Sequence, residues 1–357
     1  MLKVHKVKYF WYFKLKEIRK NLRRQLYKSR IFNDDPIIVR IDKKFGIEEQ
    51  SGIEYYLETA ASFIDLSSKE LRFDLTYCNR IWPSGIVLLC SLKQWIELSS
   101  KHGHVPLISS SPSNNSKVNS YLGHCGFYDY VGRIKDTEQN YYSDKEIVKI
   151  RREKKRSYIE EEEKNIIELL RMHGGLNSEE IEWFDSVILT EVFNNVTEHG
   201  VGRYDQGWWL LAQCHKEHKV ISLCIADNGI GIRNSLMTGP QREDIGKRIK
   251  NAPKNDGKFI KLALEENISG AFAASLKLDG IFRKRYKIGA RRGNGLERIH
   301  SACKLLGIPF SILSHYGYIF FSANGNIDSY GAKANRVFAG TMYHFTIRTK
   351  CEGGMKI

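Results

Sequence analysis

Apolar and polar positions change period several times along the chain, and each change predicts an element. Pro36–Ile41 is a short apolar run with strand character, and Ser51–Phe63 has its apolar residues at helical spacing. Leu71–Thr76 reads as a strand, Ser84–Ser99 as a helix, Val105–Ile108 as a strand and Ser116–Leu122 as a short helix. This alternation predicts, for residues 36–132, a mostly parallel sheet with helices packed on it. Residues 133–164 are highly charged, with Arg151–Arg156 basic and Glu160–Glu163 acidic, and read as a linker leading into a helix. The domain boundary is expected there. From about residue 160 the order becomes two helices, two strands, a long irregular insert, a helix and three strands. That order predicts an α+β sandwich, so the whole chain falls in the mixed α/β class with two units.

Length and charge sharpen this picture. A chain of 357 residues accommodates roughly two domains. Its 42 % hydrophobic and 27 % charged content excludes collagen-like, low-complexity and wholly disordered classes. The net charge of +15 is concentrated rather than spread. Residues 1–31 hold eleven Lys/Arg against Glu17 alone, a net +10, and residues 232–292 carry a further +9. The remainder is mildly acidic, so only two segments call for an anionic ligand or partner. Within the first, Lys14–Tyr27 suits a basic amphipathic helix, able to meet nucleic acid, an anionic membrane or an acidic partner. The alternative is a helix packed on its own protein by its aromatics. The lysines from Lys3 to Lys16 interrupt the N-terminal apolar stretch, which argues against a signal peptide, and no apolar run approaches a membrane span. The cysteines at 78, 90, 125, 214, 224, 303 and 351 are odd in number and lack a Cys-x-x-Cys pair. Buried thiols in a reducing, cytoplasmic compartment are expected, and zinc is not.

Four stretches carry candidate chemistry. In Val187–Gly200, Glu191, Asn195 and His199 recur every fourth residue and stay within about 80° on one helical face. A carboxylate there can serve as a general base, and the amide oxygen is a hard ligand suited to Mg²⁺. In Val220–Ile232 an apolar strand ends in Asp227, followed by Gly229 and Gly231. A carboxylate at a strand end can accept a hydrogen bond from an exocyclic amine, selecting adenine over guanine, while the glycines admit close approach of a ligand. In Arg291–Ile299, Gly293 and Gly295 precede a helical run whose free N–H groups can face phosphate. In Ala339–Phe345 a Gly-Thr pair opens a terminal strand at Thr341. Taken singly, each has a bland reading: Asn-Gly turns after strands are common.

Together, in this order and spacing, the four resemble the boxes of the GHKL, or Bergerat-fold, ATPases over roughly residues 165–348. Glu191, Asn195 and His199 look like the N box, Asp227, Gly229 and Gly231 the G1 box, and Gly293, Gly295 and Leu296 the G2 box. Thr341 resembles the threonine that helps read adenine. The resemblance implies an α/β sandwich that binds ATP and Mg²⁺ under a lid. In it Asp227 would take the adenine amine, Asn195 would hold Mg²⁺ and Glu191 would activate a water or a substrate hydroxyl. His199 belongs to the same box. The lid, at 232–292, is long for a minimal domain of this kind, and Arg291 and Arg292 before the G2 box are candidates for a γ-phosphate contact. The form EVFNNVTEH is closer to the anti-sigma-factor serine kinases than to sensor histidine kinases, and no phosphoacceptor-histidine helix precedes it.

Leu71–Gly126 resembles a STAS domain, the anti-anti-sigma fold, through the strand LRFDL, the loop IWPSG opening a helix, and the late SYLGHCGF. In the family's Asp-Ser-Ser-Gly pattern, proline here replaces the usual phosphoacceptor. Ser84 is expected as a helix N-cap rather than a modified residue. The expected function is an ATP-binding regulatory protein coupling a STAS-like interaction module to a GHKL nucleotide switch, with ATP hydrolysis or protein serine/threonine phosphorylation as its reaction. A protein partner would bind through the STAS-like module or the lid. The alternatives are a non-catalytic ATP sensor that docks on nucleic acid or anionic membrane through residues 1–31, and an ATPase clamp that forms a homodimer.

Overall fold

The computed structural model describes residues 37–47, 70–99, 107–132, 143–153, 158–197, 207–238, 256–264, 295–315, 317–331 and 338–350. The predicted helix Ser51–Phe63 and the basic segment 1–31 lie outside these residues.

The N-terminal unit is built on strands β1 (Ile37–Arg40), β3 (Glu70–Asp74) and β5 (Leu107–Ser111), paired in parallel in the order β1-β3-β5. This is the parallel arrangement that the strand–helix alternation predicted. Two short strands, β2 (Lys44–Phe45) and β4 (Arg80–Ile81), form a second parallel pair. Helix α1 (Pro83–Ser99) follows β4, and α2 (Ser116–His124) and α3 (Phe127–Val131) complete the unit. Proline at the first position of α1 suits a site where no backbone donor is needed. Ser84 is therefore the second residue of α1 and not its N-cap. Its hydroxyl is fully buried and accepts the Ile47 N–H at 3.0 Å, tying the start of the helix to the end of β2.

The second unit is a seven-stranded sheet in which every neighbouring pair is antiparallel. Its order is β11 (Ile327–Gly331), β10 (Gly317–Phe321), β9 (Phe310–His315), β12 (Phe338–Arg348), β8 (Val220–Asp227), β7 (Trp208–His215) and β6 (Ile147–Glu153). Two features depart from expectation. Strand β6 lies inside the charged stretch read as a linker and forms one edge of this sheet. Four strands, not three, follow the last helix, because β9 and β10 are separated by a single residue and read as one apolar run.

Helices cover one face of the sheet. These are α4 (Ile159–His173), α5 (Ser178–Trp183), a π-helical turn Phe184–Leu189, α6 (Thr190–Val196), α7 (Gly231–Thr238), α8 (Asp256–Ala263) and α9 (Gly295–Leu305). Helix α4 has Glu160–Glu162 in its first turn and Arg171 and His173 in its last, charges that complement the helix dipole. Buried Glu162 pairs with Arg151 of β6 at 3.3 Å. Asn177 and Glu180 form a reciprocal capping box that starts α5.

Strand alternation sends Leu210, Leu223, Ile225 and Phe345 to this helical face, against Phe184, Ile188, Val192 and Ile299. The intervening residues Trp209, Leu211, Cys224, Ala226 and Met342 point to the opposite face. There they share a core with Ile86, Leu89, Phe127 and other residues of the N-terminal unit, with α1 lying across β7 and β8. The two units are thus joined by one hydrophobic core. The cysteines 78, 90, 125, 214, 224 and 303 are buried thiols outside any disulfide, and burial pushes the Cys78 and Cys125 thiols up to about 12. No helix among the described residues is long and apolar enough to cross a membrane.

Candidate functional site

Strand β8 ends at Asp227 in the middle of the sheet, opposite Thr341 of β12. The carboxyl is 2 % exposed, and its Oδ1 accepts the Gly229 N–H at 2.7 Å. Burial pushes the Asp227 carboxyl up to about 7, against the opposing effect of the Gly229 and Thr341 backbone N–H groups. Gly231 takes a φ of 69° and opens α7.

Two further residues shape this end, the glycine of the Gly-Thr pair and a serine that the sequence did not mark. Gly340 has a φ of 99°, and a Cβ there would lie 1.8 Å from the Asp227 carbonyl oxygen. Only glycine fits, and the β12–β9 register shifts at this point, between Phe338 and Thr341. Ser314 of β9 accepts the Ile232 N–H at 2.9 Å and donates to the Gly340 carbonyl at 3.1 Å, bridging the turn after Asp227 to the kink before Thr341.

The other end is built on α6. Glu191 and Asn195 follow the π-helical turn, whose wider winding is seen in the Thr190 backbone N–H donating to the Asp185 carbonyl five residues back; the Thr190 hydroxyl donates to the same carbonyl at 3.1 Å. Asn195 Nδ2 donates to the buried Tyr343 hydroxyl at 3.2 Å. Glu191 accepts from the guanidinium of Arg298, one turn into α9. Burial raises the Glu191 carboxyl above its ordinary value, and Arg298 opposes that shift. Gly295, the first residue of α9, sits directly over both side chains. A Cβ on it would meet Glu191 Oε2 at 3.0 Å and Asn195 Oδ1 at 3.7 Å. The start of α9, with its unpaired N–H groups, is therefore brought to the two polar residues of α6.

Asn195, Asp227, Gly231, Leu296 and Thr341 line one small, open cleft of about 40 Å³. Tyr343, Ile232, Ser235, Leu236 and Ala263 complete its wall. Glu191 and Gly295 adjoin it through Asn195, and Gly229 through Asp227. His199, Arg291, Arg292 and Gly293 lie outside the described residues. Within the segment expected as a lid, α7 and α8 are packed elements: Phe259 and Ile260 are buried in the core, and the Arg233 guanidinium lies 5.0 Å from the Phe259 ring centre. Among the described residues no cluster of three or more His, Cys, Asp or Glu side chains is placed to hold a metal ion. Comparison of the chain with protein-family models, with curated proteins and with solved structures finds no match.

Proposed function

We propose that this cleft binds ATP, in a GHKL-like sandwich carrying an N-terminal STAS-like unit. The observation that carries the reading is the pairing of Asp227 and Thr341 across adjacent strands at one end of a cleft whose other end holds Asn195 beneath the start of a helix. An ionised Asp227 would accept the adenine amine, with the Thr341 hydroxyl beside it. The start of α9 would face the phosphates, where N–H groups and the helix dipole favour anions. Tyr343 engages the Asn195 amide nitrogen, which leaves its oxygen toward the Gly295 turn. One hard oxygen is a fitting protein contribution to Mg²⁺, which keeps most of its ligands as water and phosphate oxygens. Bound there, Mg²⁺ would offset phosphate charge.

Glu191 is the candidate base for a water or a protein hydroxyl. For either role its carboxylate must leave, or share, the Arg298 guanidinium. That ion pair is the observation favouring a second reading, a nucleotide sensor that turns over slowly or not at all. Incubation of the full chain with γ-labelled ATP separates them. Label on protein identifies a kinase, label released as free phosphate an ATPase, and bound but unreacted ATP a sensor. Glu191→Ala should keep ATP binding and lose any turnover. A cytoplasmic location and a protein partner for the STAS-like unit are part of the same proposal. The buried Ser84 hydroxyl does not support a phosphorylation switch at that residue. Docking of residues 1–31 on nucleic acid or anionic lipid would be recognised by binding that weakens steeply with salt and is lost when the segment is deleted.

A further inference from the structure

Asp227 faces the cleft, but the next residue, Asn228, points to the other side of the sheet and is 2 % exposed. There α1 of the N-terminal unit engages it three times. The Ser91 hydroxyl donates to Asn228 Oδ1. Asn228 Nδ2 donates to the Ser91 carbonyl at 3.2 Å and to Gln94 Oε1 at 3.0 Å. The same Gln94 oxygen accepts the indole N–H of Trp209 on β7 at 2.7 Å. Ser91, Gln94 and Trp209 are all fully or almost fully buried. A buried polar network with its members paired fixes one arrangement, and removing one member strands the others. The turn after β8 is therefore clamped from both sides, by Gly229, Ser314 and Gly340 in front and by α1 behind.

We propose that Ser91 and Gln94 are positioning residues for the Asp227 turn, so that docking of the N-terminal unit sets the affinity of the cleft for ATP. The inference rests on the nucleotide reading above and adds its regulation. Coupling of this kind is reciprocal, so ATP must also tighten the docking of α1. A partner that pulls α1 from the sheet would release nucleotide.

Two measurements on the full chain test this. Hydrogen exchange with and without ATP should show the backbone amides of α1 exchanging several-fold more slowly when ATP is bound. Ser91→Ala and Gln94→Met, which keep the size of each side chain nearly constant, should weaken ATP binding about tenfold and abolish the ATP-dependent protection of α1. A network that is only structural leaves α1 exchange the same with and without ATP, and that result overturns the proposal even if both variants fail to fold. Unchanged ATP affinity in folded variants overturns it as well. A wild-type chain that binds no ATP overturns instead the nucleotide reading on which it rests.

Discussion

Asp227 is the residue on which most of the proposed chemistry turns, and its burial makes its charge state depend on pH near neutrality. Its carboxyl lies at about 7 in the folded chain, well above an unfolded aspartate. Between those values the folded state binds the extra proton, so this group's contribution favours the fold at low pH and is lost as pH rises through 7. A ligand amine prefers the carboxylate. ATP affinity should therefore increase from pH 6 to pH 8, and calorimetry should find that dependence much reduced in Asp227→Asn. Arg298 acts in the opposite direction on Glu191, lowering a carboxyl that burial raises. Arg298→Ala should move the pH–rate midpoint of any turnover upward, because the base then ionises at higher pH. Gly340→Ala places a methyl against the Asp227 carbonyl, and should cost roughly 1–3 kcal/mol in urea unfolding as well as ATP binding. At this scale the sequence marked Glu191, Asn195, Asp227 and Thr341, and the structure brings the last three to one cleft with Glu191 beside it. The contacts of Arg298, Ser314, Gly340 and Asn228 were not legible, since each matters through a partner brought by another strand or helix.

Among the elements, the strands that hold the site were the most readable and the edge the least. The runs of β7 and β8 are apolar almost throughout, as expected of strands buried on both faces. Strand β6 mixes Ile147, Val148 and Ile150 with Lys149, Arg151 and Arg152. Its register against β7 also shifts between Val148 and Arg151, which breaks the alternation of two that would have marked it. The π-helical turn before Glu191 leaves no signal in apolar spacing. Helix α1 is buried around most of its described length, from Ile86 to Leu92, the pattern of a helix enclosed by protein. Its start is tight. A Cβ on Gly85 would lie 2.7 Å from the Phe45 ring and 2.8 Å from the Phe45 carbonyl oxygen. Gly85→Ala should lower stability by roughly 1–3 kcal/mol, seen as a lower urea midpoint at unchanged slope.

For the whole molecule, the boundary drawn near residues 133–164 separates two sequence patterns, but the core on one face of the large sheet is shared by both units. Hydrophobic periodicity reports that a face is apolar and leaves open what covers it, so the meeting of α1 with Trp209, Leu211 and Met342 was not legible. Burial of such side chains contributes about 1.5–3 kcal/mol each. Circular dichroism and tryptophan fluorescence should accordingly follow one coincident unfolding transition. Two separate transitions would show units that fold independently. The central claim concerns the cleft between β8, β12, α6 and α9, and equilibrium binding of ATP to the full chain at pH 8 tests it most directly. The account predicts that the wild-type chain binds ATP more tightly than GTP and that Asp227→Asn weakens ATP at least tenfold, a loss of about 1.4 kcal/mol or more. Equal affinity of the two chains for ATP, or no binding by either, would contradict it.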